Sequence, residues 1–286
     1  MSVSIQMQHP FKPSEAQLAL QALCASNTIS LDEVLYWIAK DEDPCTPDTL
    51  LDQLDRIASS VHLRNPSDTL DSICRINQHL FHTLKFAGDT EDYYHPQNSL
   101  LHKVLTRKRG LPIILGIIHI EVAKRLGIEV EGIGFPKHFL IQPVRAERPF
   151  FIDPFDAGNI LVEEDLRAWH EIWGIEQSFE ACILPSTTKS IVLRVCHNLF
   201  YAHKRLNHYE GMLRSLERLM VLQPDITELH RTRSVVLGRL QRYTESIEAL
   251  EHYMLYNPQS PDILECQHTL MLLQQLAHAP STNQTR

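Results

Sequence analysis

From residue 113 to 126 the apolar side chains Ile113, Ile114, Leu115, Ile117, Ile118, Ile120, Val122, Ala123 and Leu126 cover most of a helix circumference instead of one stripe. Such a helix must be enclosed by other elements, so the rest of the chain has to be organised around it. Gly110 and Leu111 lead into Pro112, which suits a first helical turn because its missing N–H would have no intrahelical partner there. Gly127 supplies the stop. Beyond it, residues 129–134 and 138–144 alternate or run apolar over short lengths, as strands do, and 150–153 forms a third strand before Pro154. Asp156-Ala157-Gly158 makes a turn, and 161–173 returns to helical spacing.

The first ninety residues read as mainly helical, after a disordered N-terminus of residues 1–12. Ser14 with Gln17 and Ser30 with Glu33 fit capping boxes, and Thr46-Pro47 and Asn65-Pro66 place proline at a first helical position. Leu50, Leu51, Leu54, Ile57 and Ala58, then Leu70, Ile73, Ile76, Leu80, Phe81 and Leu84, give amphipathic faces that the core helix can cover. Asn98 or Ser99 is expected to cap a short helix carrying Leu100, Leu101, Val104 and Leu105. The basic run Arg107-Lys108-Arg109 reads as a solvated helix end.

Composition changes near residues 184–188, which is where a domain boundary is expected. Downstream, Leu206, Tyr209, Leu216, Met220 and Pro224 recur as Leu240, Tyr243, Leu250, Met254 and Pro258, each pair 34 residues apart. That is the tetratricopeptide period, one helix pair per repeat with a proline after the second helix. Two full repeats fit, flanked by helices at 190–206 and 263–276, and so short an array needs neighbours to bury its ends. The expected class is α+β: a helical N-terminal region and a core with a small antiparallel sheet (13–185), an all-α repeat module (190–278), and a tail (279–286).

A net charge of −8 argues against nucleic-acid binding by charge. The N-terminus lacks the basic-then-apolar order of a signal peptide, and the longest stretch free of polar side chains, 111–118, is far shorter than the roughly 20 residues of a membrane span. The six cysteines (Cys24, Cys45, Cys74, Cys182, Cys196 and Cys266) are scattered without a CxxC, as expected of reduced thiols in a cytoplasmic protein. Among the sixteen histidines, His79 and His82 are spaced i, i+3, but no carboxylate or cysteine set completes a ligand pattern. Neither a metal nor a cofactor is expected.

A helix N-terminus is a good seat for a cysteine nucleophile, with a histidine as base and an aspartate orienting it. His138 opens one expected strand and Asp153 closes the next, and the fourteen residues between suffice for adjacent antiparallel strands to bring them together. No cysteine stands at the helix start. His138 and Asp153 are then open to two further readings, a polar pair that fixes strand register or a retained ligand-binding cleft. His119, inside the apolar helix, reads as a hydrogen-bonded core residue.

The order NSLLHKVLTRKRGLPIILGIIHIEVAKRLGIEVEGIGFPKHFLIQ, then IDPFDAG, resembles the transglutaminase-like core, and more closely the bacterial SirB family, over roughly residues 30–280. The resemblance implies a papain-like domain followed by tetratricopeptide repeats. It also implies a nucleophile in a Gly-x-Cys at the helix start, followed by histidine and aspartate on consecutive strands. In that frame the positions are Pro112, His138 and Asp153. Proline removes both the thiol and the N–H that could serve an oxyanion, and losing the nucleophile of such a triad lowers turnover about 10⁶-fold. The favoured reading is a non-catalytic protein of the bacterial cytoplasm that binds a protein or peptide partner in a regulatory role. The alternative is a hydrolase or acyltransferase in which a distant thiol, Cys74 or Cys182 for instance, reaches His138, or in which His138 and Asp153 activate water.

Overall fold

The computed structural model describes residues 14–26, 29–44 and 46–278. The expected disordered N-terminus, the tail and Cys45 lie outside those residues. Four helices come first: α1 (Glu15–Ser26), α2 (Leu31–Glu42), α3 (Leu50–Ser59) and α4 (Thr69–Asn77), the last running into a π-helical turn at Gln78–Thr83. The first capping box is present, with the Ser14 amide donating to Gln17 Oε1 (2.9 Å) and the Gln17 amide to Ser14 Oγ (3.2 Å). The second is not. Ser30 Oγ instead donates to Asp32 Oδ1 (2.6 Å), which also accepts the Glu33 amide. Pro47 and Pro66 sit in the turns before α3 and α4, and the α4 cap is Asp68, which accepts the Asp71 amide (3.0 Å).

Two-residue strands β1 (Ala87–Gly88) and β2 (Arg109–Gly110) pair in parallel around α5 (Leu101–Arg107). They deliver the chain into α6 (Pro112–Arg125), whose first eight residues are all buried. Pro112 is at the first helical turn, and Gly127 leaves the helix at φ +75°. α3 and α4 pack on α6, so the amphipathic N-terminal faces are covered by the core helix as their spacing required.

The sheet is β3 (Val130–Ile133), β4 (Leu140–Pro143), β5 (Phe151–Asp153) and β6 (Asn159–Leu161), antiparallel throughout and in sequence order. The fourth strand was not expected, and His138 precedes β4 instead of opening it. Alternation divides the sheet's two faces. Ile141 and Ile152 join the large core with α6, whereas Ile133, Leu140, Phe151 and Leu161 meet α7 (Glu163–Ile172) and α8 (Phe179–Cys182). The sheet is thus the middle of three layers. Gly116 permits the close approach of α6, since a Cβ there would lie 2.7 Å from the Phe139 ring.

Five helices complete the chain: α9 (Thr188–Arg205), α10 (Tyr209–Leu222), α11 (Glu228–Arg239), α12 (Tyr243–Tyr256) and α13 (Ile263–His278). The 34-residue repeat extends to the backbone: Asn207 and Gln241, between the helices of each pair, both take left-handed φ values of 52° and 60°. The first helix pair also serves the preceding core, to which α9 gives Ile191, Val192, Val195, Cys196 and Leu199 and α10 gives Leu219 and Leu222. A buried ionic cluster joins the same surfaces. Arg218, 1% exposed, binds Asp41 and Glu42, and Glu42 also accepts from Arg214 (2.8 Å). His203 Nε2 lies 3.3 Å from Glu42 without hydrogen-bond geometry. Burial opposes the charge on Glu42, but Arg218 and its neighbours hold the carboxyl far below its ordinary value.

Candidate functional site

The start of α6 is held by a polar frame built on buried Asn98 and Asp89. Asn98 donates to the Asp92 carbonyl (2.8 Å) and accepts from Arg107 Nη1 (2.8 Å), and Arg107 Nη2 donates to Asp89 (3.0 Å). Burial works to raise the Asp89 carboxyl, and the Asp92 amide, Arg107 and Asn98 together hold it below its usual value. The Leu111 amide donates to the Asn98 carbonyl (3.0 Å), which fixes the residue preceding Pro112. Asn98 and Ser99 therefore do not cap α5: Leu100 holds that position without a side-chain bond, Asn98 braces the next helix, and buried Ser99 Oγ is unbonded. Nor is the basic run simply solvated, because Arg107 completes this frame and Lys108 lies over the Phe86 ring.

His138 and Asp153 come together, with Nε2 2.7 Å from Oδ2. Asp153 is nearly buried, and its Oδ1 accepts the amides of Phe155 (2.9 Å) and Asp156 (3.1 Å), so the same carboxylate shapes the β5–β6 turn. The His138 ring is held edge-on by Trp169 (5.7 Å between centroids) and Phe155 (6.3 Å). Trp169 stacks with Trp173. Sequence reasoning missed this aromatic surround, for which the i, i+4 tryptophans, Trp169 on α7 and Trp173 at its C-cap, were the available signal.

Pro112 stands one turn before Gly116, about 6 Å along the same helix face. A Cβ at Gly116 would meet Phe139, beside His138, and Pro154, beside Asp153. Pro112 thus occupies the first turn of the face applied to the residues adjoining the dyad. None of the five described cysteines forms a hydrogen bond with His138, although Cys182 packs in the cluster against which Trp169 lies. Cys24 Sγ points to the Val221 carbonyl (3.8 Å) and Cys182 Sγ to that of Gln177 (4.0 Å), Cys74 lies among Asp68, Asp71 and Arg75, and Cys266 beside Arg231. Cys196 is sealed in the core, where burial pushes its thiol up to about 12. Neither Cys74 nor Cys182 has His138 as a partner.

A second histidine supports the site from behind. His119 Nε2 lies 2.9 Å from Asn77 Oδ1, and Asn77 Nδ2 donates to the Gly158 carbonyl (2.7 Å). Because the Asn77 amide nitrogen is committed as donor, its oxygen accepts and His119 is the Nε2–H tautomer. Complete burial pushes His119 down to about 4, so it is neutral. Gly158, at φ +76°, closes the turn that Asp153 opens. His79 and His82 do not act together: His79 Nε2 meets Ser60 Oγ at 2.8 Å. Among the described residues no three His, Cys, Asp or Glu side chains could hold a metal, and no helix is long and apolar enough to cross a membrane.

A helix abutting a sheet that carries a histidine–aspartate pair, followed by helix-pair repeats, defines a class. The pattern of the transglutaminase-like superfamily matches residues 48–197 and that of the tetratricopeptide repeat residues 199–271; the chain belongs to the transglutaminase-like superfamily. Among individual proteins it is similar to the UPF0162 protein of Xylella fastidiosa, 29% identical over 246 residues that cover 82% of this chain and 87% of that one. The UPF0162 protein of Vibrio cholerae is 27% identical over 206 residues, covering 70% and 74%. F-box only protein 21 of Mus musculus is 30% identical over 175 residues, covering 57% of this chain and 27% of that protein. No solved structure matches.

Proposed function

We propose that this chain is a non-catalytic transglutaminase-like protein that acts by association, its repeats engaging a protein or peptide partner in a regulatory role in a bacterial cytoplasm. The observation that carries this reading is Pro112 in the first turn of α6, on the helix face applied to the chain beside an intact His138–Asp153 pair. A histidine and a carboxylate suited to the roles of base and orienting group then stand without a thiol partner among the described residues. Asp153 has a second task in the β5–β6 turn, which gives the pair a reason to persist without chemistry. The long ordered motif supports placement in the SirB family, and the UPF0162 relatives support a bacterial setting. A cleft of about 310 Å³ between α11, α12 and α13, lined by Val235, Arg239 and Tyr243 among others, supports ligand binding by the repeats. The net charge of −8 argues against a nucleic-acid partner.

The test is turnover of amide, ester and thioester reporter substrates by the full chain, beside capture of partners from a bacterial lysate. No turnover is expected, and capture is expected to survive His138→Ala but to fail in Val235→Asp/Arg239→Glu. Turnover that His138→Ala abolishes would establish the enzyme reading instead.

A further inference from the structure

The two edges of the four-stranded sheet differ. Ile133 of β3 is bridged to Pro185, whereas β6 pairs with β5 and, among the described residues, has no strand on its other side. In an antiparallel strand with one neighbour, the N–H and C=O of every second residue point away from that neighbour. Such an edge is a template for another strand, and a lysine, a proline or a covering element is the common guard against it. Asn159, Ile160 and Leu161 include neither a charge nor a proline. The open stretch is bounded at both ends: the Gly158 carbonyl accepts from Asn77 Nδ2 (2.7 Å), and the Val162 amide donates to Asp165 Oδ2 (2.9 Å).

Two cavities place α4 along that edge, running in the opposite direction. At the end of α4, beside the Asn77–Gly158 bond, a cavity of about 660 Å³ is lined by Asn77, Gln78, Asn159 and Ile160 among others. At its first turn a cavity of about 1010 Å³ is lined by Thr69 and Leu70 together with Val144, Arg148, Ile160 and Val162 among others. Ile160 lines both, so the cavities adjoin at the middle of β6. An extended chain spans about 13 Å from Gly158 to Val162, and α4 rises about 12 Å from Thr69 to Asn77. Helix and strand are thus matched walls of one trough. Its apolar side chains come from helix, hairpin and strand: Leu70, Val144, Ile160 and Val162 are 37% to 51% exposed. Its charges nearly balance, with Asp68, Glu147 and Asp156 set against Arg145 and Arg148.

We propose that this trough receives an extended segment of a partner protein, added to β6 as a fifth strand and held against α4. The edge selects the occupant's backbone, because a strand offers donors and acceptors in step with β6 whereas a helix has spent its own internally. The cavities on either side of Ile160 select its side chains, since a strand presents alternate residues to one face. The exposed apolar lining and the near balance of charge call for uncharged, apolar residues at those alternate positions. This surface lies on the transglutaminase-like domain and does not depend on the repeats binding a partner.

The probe is a set of acetylated, amidated hexapeptides in which threonine alternates with valine, isoleucine, leucine, methionine or phenylalanine, added to the full chain and followed by its backbone amide resonances. At least one member should bind saturably below millimolar concentration and shift residues 159–162 and 68–78. Rearranging the best binder so that its apolar residues fall three and four apart should weaken it at least about tenfold. N-methylating one alternate set of its amides should abolish binding, and methylating the other set should leave it within about threefold, because only one set faces β6. Ile160→Asp and Leu70→Asp, both at exposed positions, should each weaken binding at least about tenfold. Val235→Asp/Arg239→Glu should leave it unchanged, which separates this surface from the repeat cleft. Failure of every peptide to bind at millimolar concentration, equal effects of the two methylated sets, or undiminished binding by Ile160→Asp would overturn the proposal. A dimer that Ile160→Asp disperses would assign the edge to a second copy of the chain and overturn it likewise. Should Ile160→Asp fail to fold, Leu70→Asp and the methylated peptides decide it.

Discussion

Glu42→Gln tests how the repeats are fastened to the N-terminal helices. Glu42 is 3% exposed at its side chain and receives Arg218 Nη1 at 2.6 Å and Arg214 Nη2 at 2.8 Å. Breaking a buried ion pair by neutralising one partner typically destabilises by about 3–5 kcal/mol, because the other charge is left uncompensated. Arg218 would keep Asp41, and Arg214, 29% exposed, can turn to water. The loss should therefore fall at the low end, about 3 kcal/mol at pH 7. The pH dependence has a definite sign. The folded Glu42 carboxyl is held below its ordinary value of 4.5, so its contribution is complete above that pH and is lost as pH falls toward the folded value. The gap between natural chain and variant should accordingly narrow by roughly 1 kcal/mol at pH 4. Urea unfolding followed by helical circular dichroism at both pH values measures it. A gap below about 1 kcal/mol at pH 7, or one equal at pH 4 and pH 7, would refute the assignment of Glu42 as a buried, charged fastening.

Two further consequences follow from the frame behind the dyad. His119 is held near 4 against an ordinary 6.5, so below pH 6.5 the unfolded chain takes up a proton that the folded chain refuses. Acidification from pH 8 to pH 5 should cost about 2 kcal/mol through this residue alone, and His119→Gln, which keeps the donor to Asn77, should remove that part of the slope. Gly158→Ala places a Cβ 2.6 Å from Asn77 and 2.7 Å from Phe81 at a φ of +76°. It should destabilise by about 2 kcal/mol or more in the same unfolding assay and expose the Asn77 amide to faster hydrogen exchange.

The core helix was legible because apolar residues all around a helix admit only one environment, and the repeats because a 34-residue period survives in five paired positions. The left-handed turns inside those repeats were not, since Asn207 and Gln241 stand where glycine would have announced them. Pro47 and Pro66 misled for a related reason: proline fixes a turn as readily as a first helical position, and the chain ran two or three residues further before each helix began. Asn98 and Ser99 looked like caps because nothing local revealed that Arg107 and Asp92 would claim the Asn98 side chain. The meeting of His138 and Asp153 could be read from adjacent strands. The Arg218–Glu42 bond, across 176 residues, depends on packing that no local pattern encodes. Strand β6 was missed because, unlike the wholly buried β5, it buries only Leu161 and so carries no apolar run or alternation.

If position 112 faces the dyad, only the proline there leaves the pair idle, and restoring a thiol should wake it. The pH dependence of iodoacetamide labelling, followed residue by residue in the natural chain, Pro112→Cys and Pro112→Cys/His138→Ala, tests this directly. The introduced thiol should react fastest, with an apparent pKa at least about one unit below the ordinary 8.5 that returns toward it when His138 is removed. No native cysteine should respond to His138→Ala. A native thiol whose reactivity depends on His138, or an introduced thiol at position 112 that titrates like any exposed one, would contradict this reading.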